Sequence, residues 1–392
     1  GSLSSNAVQA LYGKRISMTA SRLERIRSCH FSYFMEYGLR AKPRTPAAFD
    51  APQIGTFLHF LLEHVTRDVL SLGGFARTDQ DTLHALVRKY IDEYVQKELR
   101  NFQNRNARFR YLFARLRNTA YAVVDQAAEE LRHSDFTPLA FELSFGDGKE
   151  ADIPSVVISE PDGELRVGGK VDRVDGWFKD GRIYLRVVDY KSGKKSFDLA
   201  AVRMGLDIQM LLYLFALQKA GASRFGGEIE PAGVLYLPAR DDILSAERNI
   251  PPDRLQAERE KQLRRSGLLL AEPQVLQAME HEALKQPRYL PLRVNKNGDI
   301  SGSLASAAQL GKLGRYVETL LHDISREIRQ GNIDADPCCH SENDVPCQYC
   351  DWSSACHFRD GRDGDRLNYI LPVKTEEFWQ ALEMEGGGST CP

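Results

Sequence analysis

Apolar residues recur at helical spacing through most of the first third of the chain. Over 53–71, Ile54, Phe57, Leu58, Leu61, Leu62 and Val65 fall on one stripe, and 81–99 and 107–133 repeat the pattern, which predicts a helical region reaching about residue 134. Ahead of it, 17–39 carries helix formers behind a Ser/Thr start and sets Cys29 among Phe31, Tyr33 and Phe34; a Pro-bearing loop at 43–52 follows. From Phe136 the period changes. Runs of β-branched and aromatic residues at 139–145, 153–159, 164–175 and 182–190, broken by Gly and Asp, predict a central sheet. Residues 207–220 read as an apolar helix closed by Gly221, 232–237 as a short apolar strand, and 251–330 as mostly helical with one loop near 287–298. The organisation expected is 1–14 as cloning remnant and linker, 15–134 helical, 135–240 a core sheet with its helix, 241–335 mostly helical, 336–370 a cysteine-bearing segment and 371–392 a tail. No tandem repeat or low-complexity tract is evident.

Composition narrows this α/β reading without changing it. The chain has 392 residues, 42% hydrophobic and 27% charged, an ordinary globular balance that excludes disordered and collagen-like classes. There is no run of about 18 apolar residues that would span a bilayer, and no basic-then-apolar start that reads as a signal peptide. A soluble cytoplasmic protein is expected, with no membrane partner. The opening Gly1-Ser2 reads as a cloning scar, so the chain is expected to be a piece of something longer. With 52 Lys and Arg against 54 Asp and Glu the net charge is −2, so nucleic-acid binding would have to come from local patches.

The chemistry concentrates in the segment GGKVDRVDGWFKDGRIYLRVVDYKSG. Asp-Gly is a favoured two-residue hairpin turn, and with Asp180 and Gly181 in that role the strands pair outward until Asp172 faces Asp189. Two carboxylates on facing strands, with Cβ atoms roughly 5 Å apart, repel one another unless a cation lies between them. Lys191, two residues beyond Asp189, projects from the same face. Carboxylates that hold Mg²⁺ or Mn²⁺ beside a Lys form a layout suited to phosphodiester cleavage. The plainer alternative is that the two Asp residues end strands and solvate loops, and a register slip of one residue would separate them.

These residues bring a family into view. Gly169-Lys170-Val171-Asp172-Arg173-Val174-Asp175 and Asp189-Tyr190-Lys191-Ser192-Gly193 resemble the paired signatures of the PD-(D/E)XK nuclease superfamily in its RecB-like branch. The resemblance implies a restriction-endonuclease-like core with a central mixed sheet flanked by helices. It implies metal binding by Asp172, Asp189 and the Tyr190 carbonyl, and a catalytic Lys191. Gln209 and Tyr213, four residues apart on one helix face, match the family's Q-x-x-x-Y motif, which implies support of the site and contact with DNA. GTFLHFLLEH resembles the family's G-x-x-x-H-x-x-L-E helix and makes His59 a further metal ligand.

Five of the seven cysteines fall between 338 and 356, which in a chain without a secretion signal reads as metal ligation before disulfides. Cys347-x2-Cys350-x5-Cys356 supplies three thiolates; Cys29, Cys338, Cys339, His340 and His357 are candidates for the fourth ligand. Spacing alone leaves structural zinc and a [4Fe–4S] cluster both open. An early cysteine with a distant terminal C-x2-C-x5-C is similar to the AddB family found in bacterial AddAB helicase–nucleases. That resemblance implies an iron–sulfur cluster on Cys29, Cys347, Cys350 and Cys356 that clasps the two ends of the domain. It further implies a single-strand-preferring nuclease that works with an AddA-type helicase–nuclease partner in double-strand break resection and cuts the strand with the 5′ end. The chain departs from the family in carrying His30 where Pro usually follows the first cysteine, a residue that could compete as a ligand or alter the local turn. It has no G-x-x-x-x-G-K-[ST] loop, so ATP chemistry by that route is not expected. The alternatives are a nuclease-like module that binds DNA or a partner without cutting, and a stand-alone single-strand exonuclease of the same superfamily.

Overall fold

The computed structural model describes residues 1–43, 51–98, 107–193, 195–240 and 264–362, with 364–385 and the single positions 251 and 254. Its first elements are helix α1 (Ser5–Tyr12), strand β1 (Arg15–Thr19), and helices α2 (Ala20–Ser28) and α3 (His30–Tyr33). The segment 17–39, expected to be one helix, therefore opens on a strand: alternating Ile16 and Met18 point into the core, and the chain turns helical only after Thr19. Residues 1–14 form ordered structure, with α1 capped by the Ser4 hydroxyl and Val8 buried.

Three long helices follow, α4 (Ala51–Ser71), α5 (Gln80–Lys97) and α6 (Ala107–Arg132), as their periodicity predicts. They build a core of their own from residues such as Phe57, Leu61, Leu83, Val87, Ala120 and Val124. The sheet contains β2 (Thr137–Gly146), β3 (Ile153–Pro154), β4 (Val156–Glu160), β5 (Gly163–Lys179) and β6 (Arg182–Lys191). The short helix α7 (Leu199–Arg203) and the apolar helix α8 (Gln209–Ala220) lead through α9 (Ala222–Phe225) to β7 (Glu228–Pro238).

The segment 241–335, expected to be mostly helical, carries four short strands beside its two described helices. The strands are β8 (Ser266–Leu270), β9 (Leu292–Val294), β10 (Ile300–Gly302) and β11 (Leu304–Ala305), placed around helices α10 (Pro273–Met279) and α11 (Ala307–Gln330). Runs of two to five residues are too short to show a period, which is why these strands escape the pattern. Among the described residues the main sheet has nine strands in the order β11-β8-β7-β6-β5-β2-β3, with β1 and β4 on the first half of β5. β5 pairs antiparallel with β2 and β6, while β6 pairs parallel with β7, so the sheet is mixed and flanked by helices, as expected.

The two layers meet across a chain of buried charges. Arg173, Asp175, Arg186, Glu130 and Arg265 are all at most 3% exposed. Arg173 Nε lies 2.8 Å from Asp175 Oδ1, and Arg186 Nε donates to Asp175 Oδ2 at 2.9 Å. Arg186 also donates to Glu130 Oε1 on α6 at 3.1 Å, and Arg265 Nε donates to Glu130 Oε2 at 3.0 Å. Burial alone would raise the Glu130 carboxyl, but the guanidiniums of Arg265, Arg186 and Arg173 hold it down at about 2.

Candidate metal centre

The β5–β6 turn sets the geometry. Asp180 and Gly181 both have positive φ, 51° and 79°, which is the two-residue turn whose twist matches paired strands. The ladder runs from Lys179↔Arg182 without a slip to Arg173↔Val188, so the predicted register holds and the next position outward sets Asp172 beside the strand carrying Asp189. There the Tyr190 backbone N–H donates to Asp172 Oδ2 at 2.8 Å. Arg173 and Tyr190 face the helical layer, where Arg173 donates to the Tyr190 hydroxyl at 3.1 Å; Asp172, Asp189 and Lys191 take the opposite side of the pleat.

His59 on α4 reaches the end of this hairpin. Its Nε2 donates to the Tyr190 carbonyl at 3.1 Å, which leaves Nδ1, 3.4 Å from Asp172 Oδ1, with its lone pair free in the neutral ring. Burial works against a charged imidazole here, but the Asp172 carboxylate and the Tyr190 carbonyl outweigh it and raise the His59 pKa.

A third group was not found by sequence reasoning. Among the described residues, one trio of side chains lies close enough to share an ion: His59, Asp172 and Glu142, with ligand atoms within 4.8 Å of one another. Glu142 lies on β2 between the pairs Phe141↔Arg173 and Leu143↔Val171, hence across from Asp172. Its φ is 48°, a left-handed conformation uncommon for a non-glycine residue in a strand, and Lys170 Nζ stands 3.2 Å from its carboxylate. A lone Glu in the apolar run LAFELSF was the available signal, because a strand between two layers has no solvent to take up a charge.

Asp189 is held beside this trio. Its Oδ2 is 2.7 Å from Lys191 Nζ. Burial, and then the negative charge of Asp172, push its carboxyl up to about 6 despite Lys191, while the carboxylate in turn raises the Lys191 ammonium against burial. Gln209 at the start of α8 is partly exposed, whereas Tyr213 is 3% exposed and stacks on Phe145 with ring centroids 4.9 Å apart. A Cβ on Gly169 would overlap the Tyr213 hydroxyl, which explains the glycine at that point of the motif. Buried in this way, Tyr213 braces β5 from below.

The cysteines form two neighbourhoods. Cys347, Cys350 and Cys356 lie on consecutive turns with Cys339 near them. Cys29, between α2 and α3, lies beside Asp336 and Cys338, and burial pushes its thiol up to about 11. The described structure does not draw three cysteine sulfurs together as closely as the trio around Asp172. His30 is not free to act as a ligand: its Nδ1 is 2.7 Å from Asp336 Oδ2, its backbone N–H donates to Asp336 Oδ1, and Nε2 faces Glu327. Although burial opposes it, those two carboxylates raise its pKa to about 9. Cys391 lies outside the described residues. Among the described residues no helix is long and apolar enough to cross a membrane.

Comparison with known proteins fits this geometry. The sequence model of the PD-(D/E)XK nuclease superfamily matches residues 17–357. The chain is 31% identical over 388 residues to an ATP-dependent helicase/deoxyribonuclease subunit of Thermoanaerobacter sp. strain X514, covering 96% of the chain and 33% of that protein. The ATP-dependent helicase/deoxyribonuclease subunit of the same type from Acetivibrio thermocellus is 32% identical over 387 residues, covering 98% of the chain and 34% of the relative. Its counterpart in Clostridium perfringens strain 13 is 31% identical over 380 residues, covering 95% and 33%. The chain thus spans about one third of the length of these relatives.

The raised Asp189 pKa gives a testable dependence. A carboxyl shifted upward keeps its proton until the pH passes the shifted value, so protons compete with a cation below about pH 6. Mn²⁺ affinity, measured by titration calorimetry, should first decline as His59, raised above its ordinary value, takes up its proton, and should go on falling as the pH drops through about 6 and Asp189 is protonated. Affinity that stays constant down to about pH 5 would contradict the placement of Asp189 at the ion.

Proposed function

The chain belongs to the PD-(D/E)XK nuclease superfamily, and from that premise we propose that it hydrolyses DNA phosphodiesters, preferentially in single strands, with a divalent metal. The convergence of His59 Nδ1, Glu142 and Asp172 beside the Asp189–Lys191 pair is the observation that carries this reading. A donor set of carboxylates, one carbonyl and one imidazole fits Mg²⁺ or Mn²⁺, and the mutual repulsion of Asp172 and Asp189 is relieved by such an ion. When bound, the metal supplies Lewis acidity toward the phosphate and acidifies a water.

The residues around it have separate tasks. Asp172, Asp189, His59 and the Tyr190 carbonyl are the ligands, joined by Glu142. Lys191, tied to Asp189, places a positive charge where a phosphate oxygen gains negative charge. Gln209 and Tyr213 support the strand that carries Asp172.

By similarity to the helicase/deoxyribonuclease relatives, the whole protein would act in the cytoplasm as part of a helicase–nuclease with an AddA-type partner in double-strand break repair. Cys29, Cys347, Cys350 and Cys356 would hold a [4Fe–4S] cluster. In support, none of the described cysteines is in a disulfide, and the segment carrying Cys29 docks on the C-terminal segment: Phe31 N–H donates to Asp334 O, and His30 binds Asp336. A cluster joining them would close a loop of most of the chain.

End-labelled single-stranded DNA should be cut in Mg²⁺ or Mn²⁺ and left intact in EDTA. Asp189→Ala and Lys191→Ala should each lose about 100-fold or more in rate while keeping the wild-type circular dichroism spectrum. Full activity in either variant would overturn the assignment. Protein prepared without oxygen should contain iron and sulfide in near-equal amounts; zinc in place of both would refute the cluster.

A further inference from the structure

The first half of α6 has a surface that the site does not use. Arg108, Arg110, Arg115 and Arg117 are exposed, and among the described residues none of the four has a carboxylate partner. That sets them apart from Arg15, Arg25, Arg67 and Arg182, each of which is matched with a glutamate. No Asp or Glu occurs on α6 before Asp125.

Helical spacing arranges these arginines in two rows. Arg108 and Arg115 are seven residues apart and share one flank; Arg110 and Arg117 share the other. The inward side is fixed by buried Phe113, Leu116 and Ala120, so the crest between the rows is Tyr111, 63% exposed, followed by Asn118 one turn pair later. A large aromatic left in solvent between two lines of guanidinium groups is the arrangement that suits a flexible polyanion with flat bases: charge for the backbone and a ring for stacking. A duplex buries its bases and has no use for the tyrosine, and an acidic protein surface would have no need of the ring standing between the charges.

The buried side of α6 packs on the helix that carries His59. Phe113, in the middle of the basic stretch, packs its ring on Phe57 with centroids 5.6 Å apart, and Phe57 is two residues before His59 on α4. In a chain of net charge −2, four arginines within ten residues, with no carboxylate partner among the described residues, form a local positive field in the same helical layer as His59, and so offset a cluster of carboxylates that by itself would repel DNA.

We propose that the exposed face of α6 over 108–118 is a guide for single-stranded DNA, with Arg108, Arg110, Arg115 and Arg117 on successive phosphates and Tyr111 stacked on a base, delivering the strand to the carboxylate site. The inference rests on the nuclease reading and is tested without cutting. Binding of a fluorescent oligothymidylate of about thirty nucleotides is followed by anisotropy in EDTA over a range of salt concentrations, for the wild type, for the variant with all four arginines changed to Gln, and for Tyr111→Ala.

Each single-strand phosphate contact contributes about 0.7 to the slope of log affinity against log salt, so the four-Gln variant should lose about 3 from the slope. Tyr111→Ala should bind about tenfold more weakly with the slope unchanged, and Tyr111→Phe should restore the affinity. A four-Gln variant that keeps the wild-type affinity and slope overturns the proposal, as does a wild type that binds duplex of the same length more tightly than the single strand. A wild type that binds as described yet cuts no DNA in Mg²⁺ or Mn²⁺ would leave this surface standing and remove the nuclease reading.

Discussion

The buried chain of charges from Arg173 through Asp175 and Arg186 to Glu130 and Arg265 is the constraint on which the site depends. It joins the strand pair that carries the carboxylates to the helical layer that carries His59. Buried ion pairs contribute little net stability compared with apolar packing, but removing one member strands the others and costs about 3–5 kcal/mol. Their value here is positional. Arg173 also bonds the Tyr190 hydroxyl, and Tyr190 uses its two backbone groups at the site, the N–H on Asp172 and the carbonyl on His59. The pleat then does the rest: with Arg173 and Tyr190 fixed on the helical side, Asp172 and Asp189 must face the other way, into each other's field.

That field is what a cation would relieve. Asp189 is raised by burial and by Asp172, His59 is raised by Asp172 despite burial, and Glu142 adopts a left-handed backbone conformation opposite Asp172. Strain of this kind persists only where the surroundings impose it. Here the imposing element is β2, whose pairs on either side of Glu142 hold their register with β5.

Much of this was legible in the sequence because it rested on strong local rules. Asp180-Gly181 specifies a turn, the turn specifies a register, and the register places Asp172 and Asp189 without reference to anything distant. The apolar stripes of α4, α5 and α6 were equally readable, since long helices repeat their period several times. What escaped was non-local or short. Glu142 becomes a candidate ligand only once β2 is known to lie beside β5. The strand β8 is five residues long, and β1 was absorbed into the helix that follows it. His30 reads in isolation as a possible ligand and is in fact held by Asp336 and Glu327, about three hundred residues along the chain.

The central claim is that His59, Glu142 and Asp172 bind one ion beside Asp189. Crystals of the protein soaked in Mn²⁺ and measured for anomalous scattering test it most directly. An anomalous peak within ligating distance of His59 Nδ1 and of carboxylate oxygens from Glu142 and Asp172 is the predicted result; a peak that leaves Asp172 unliganded, or none near the hairpin, would contradict it.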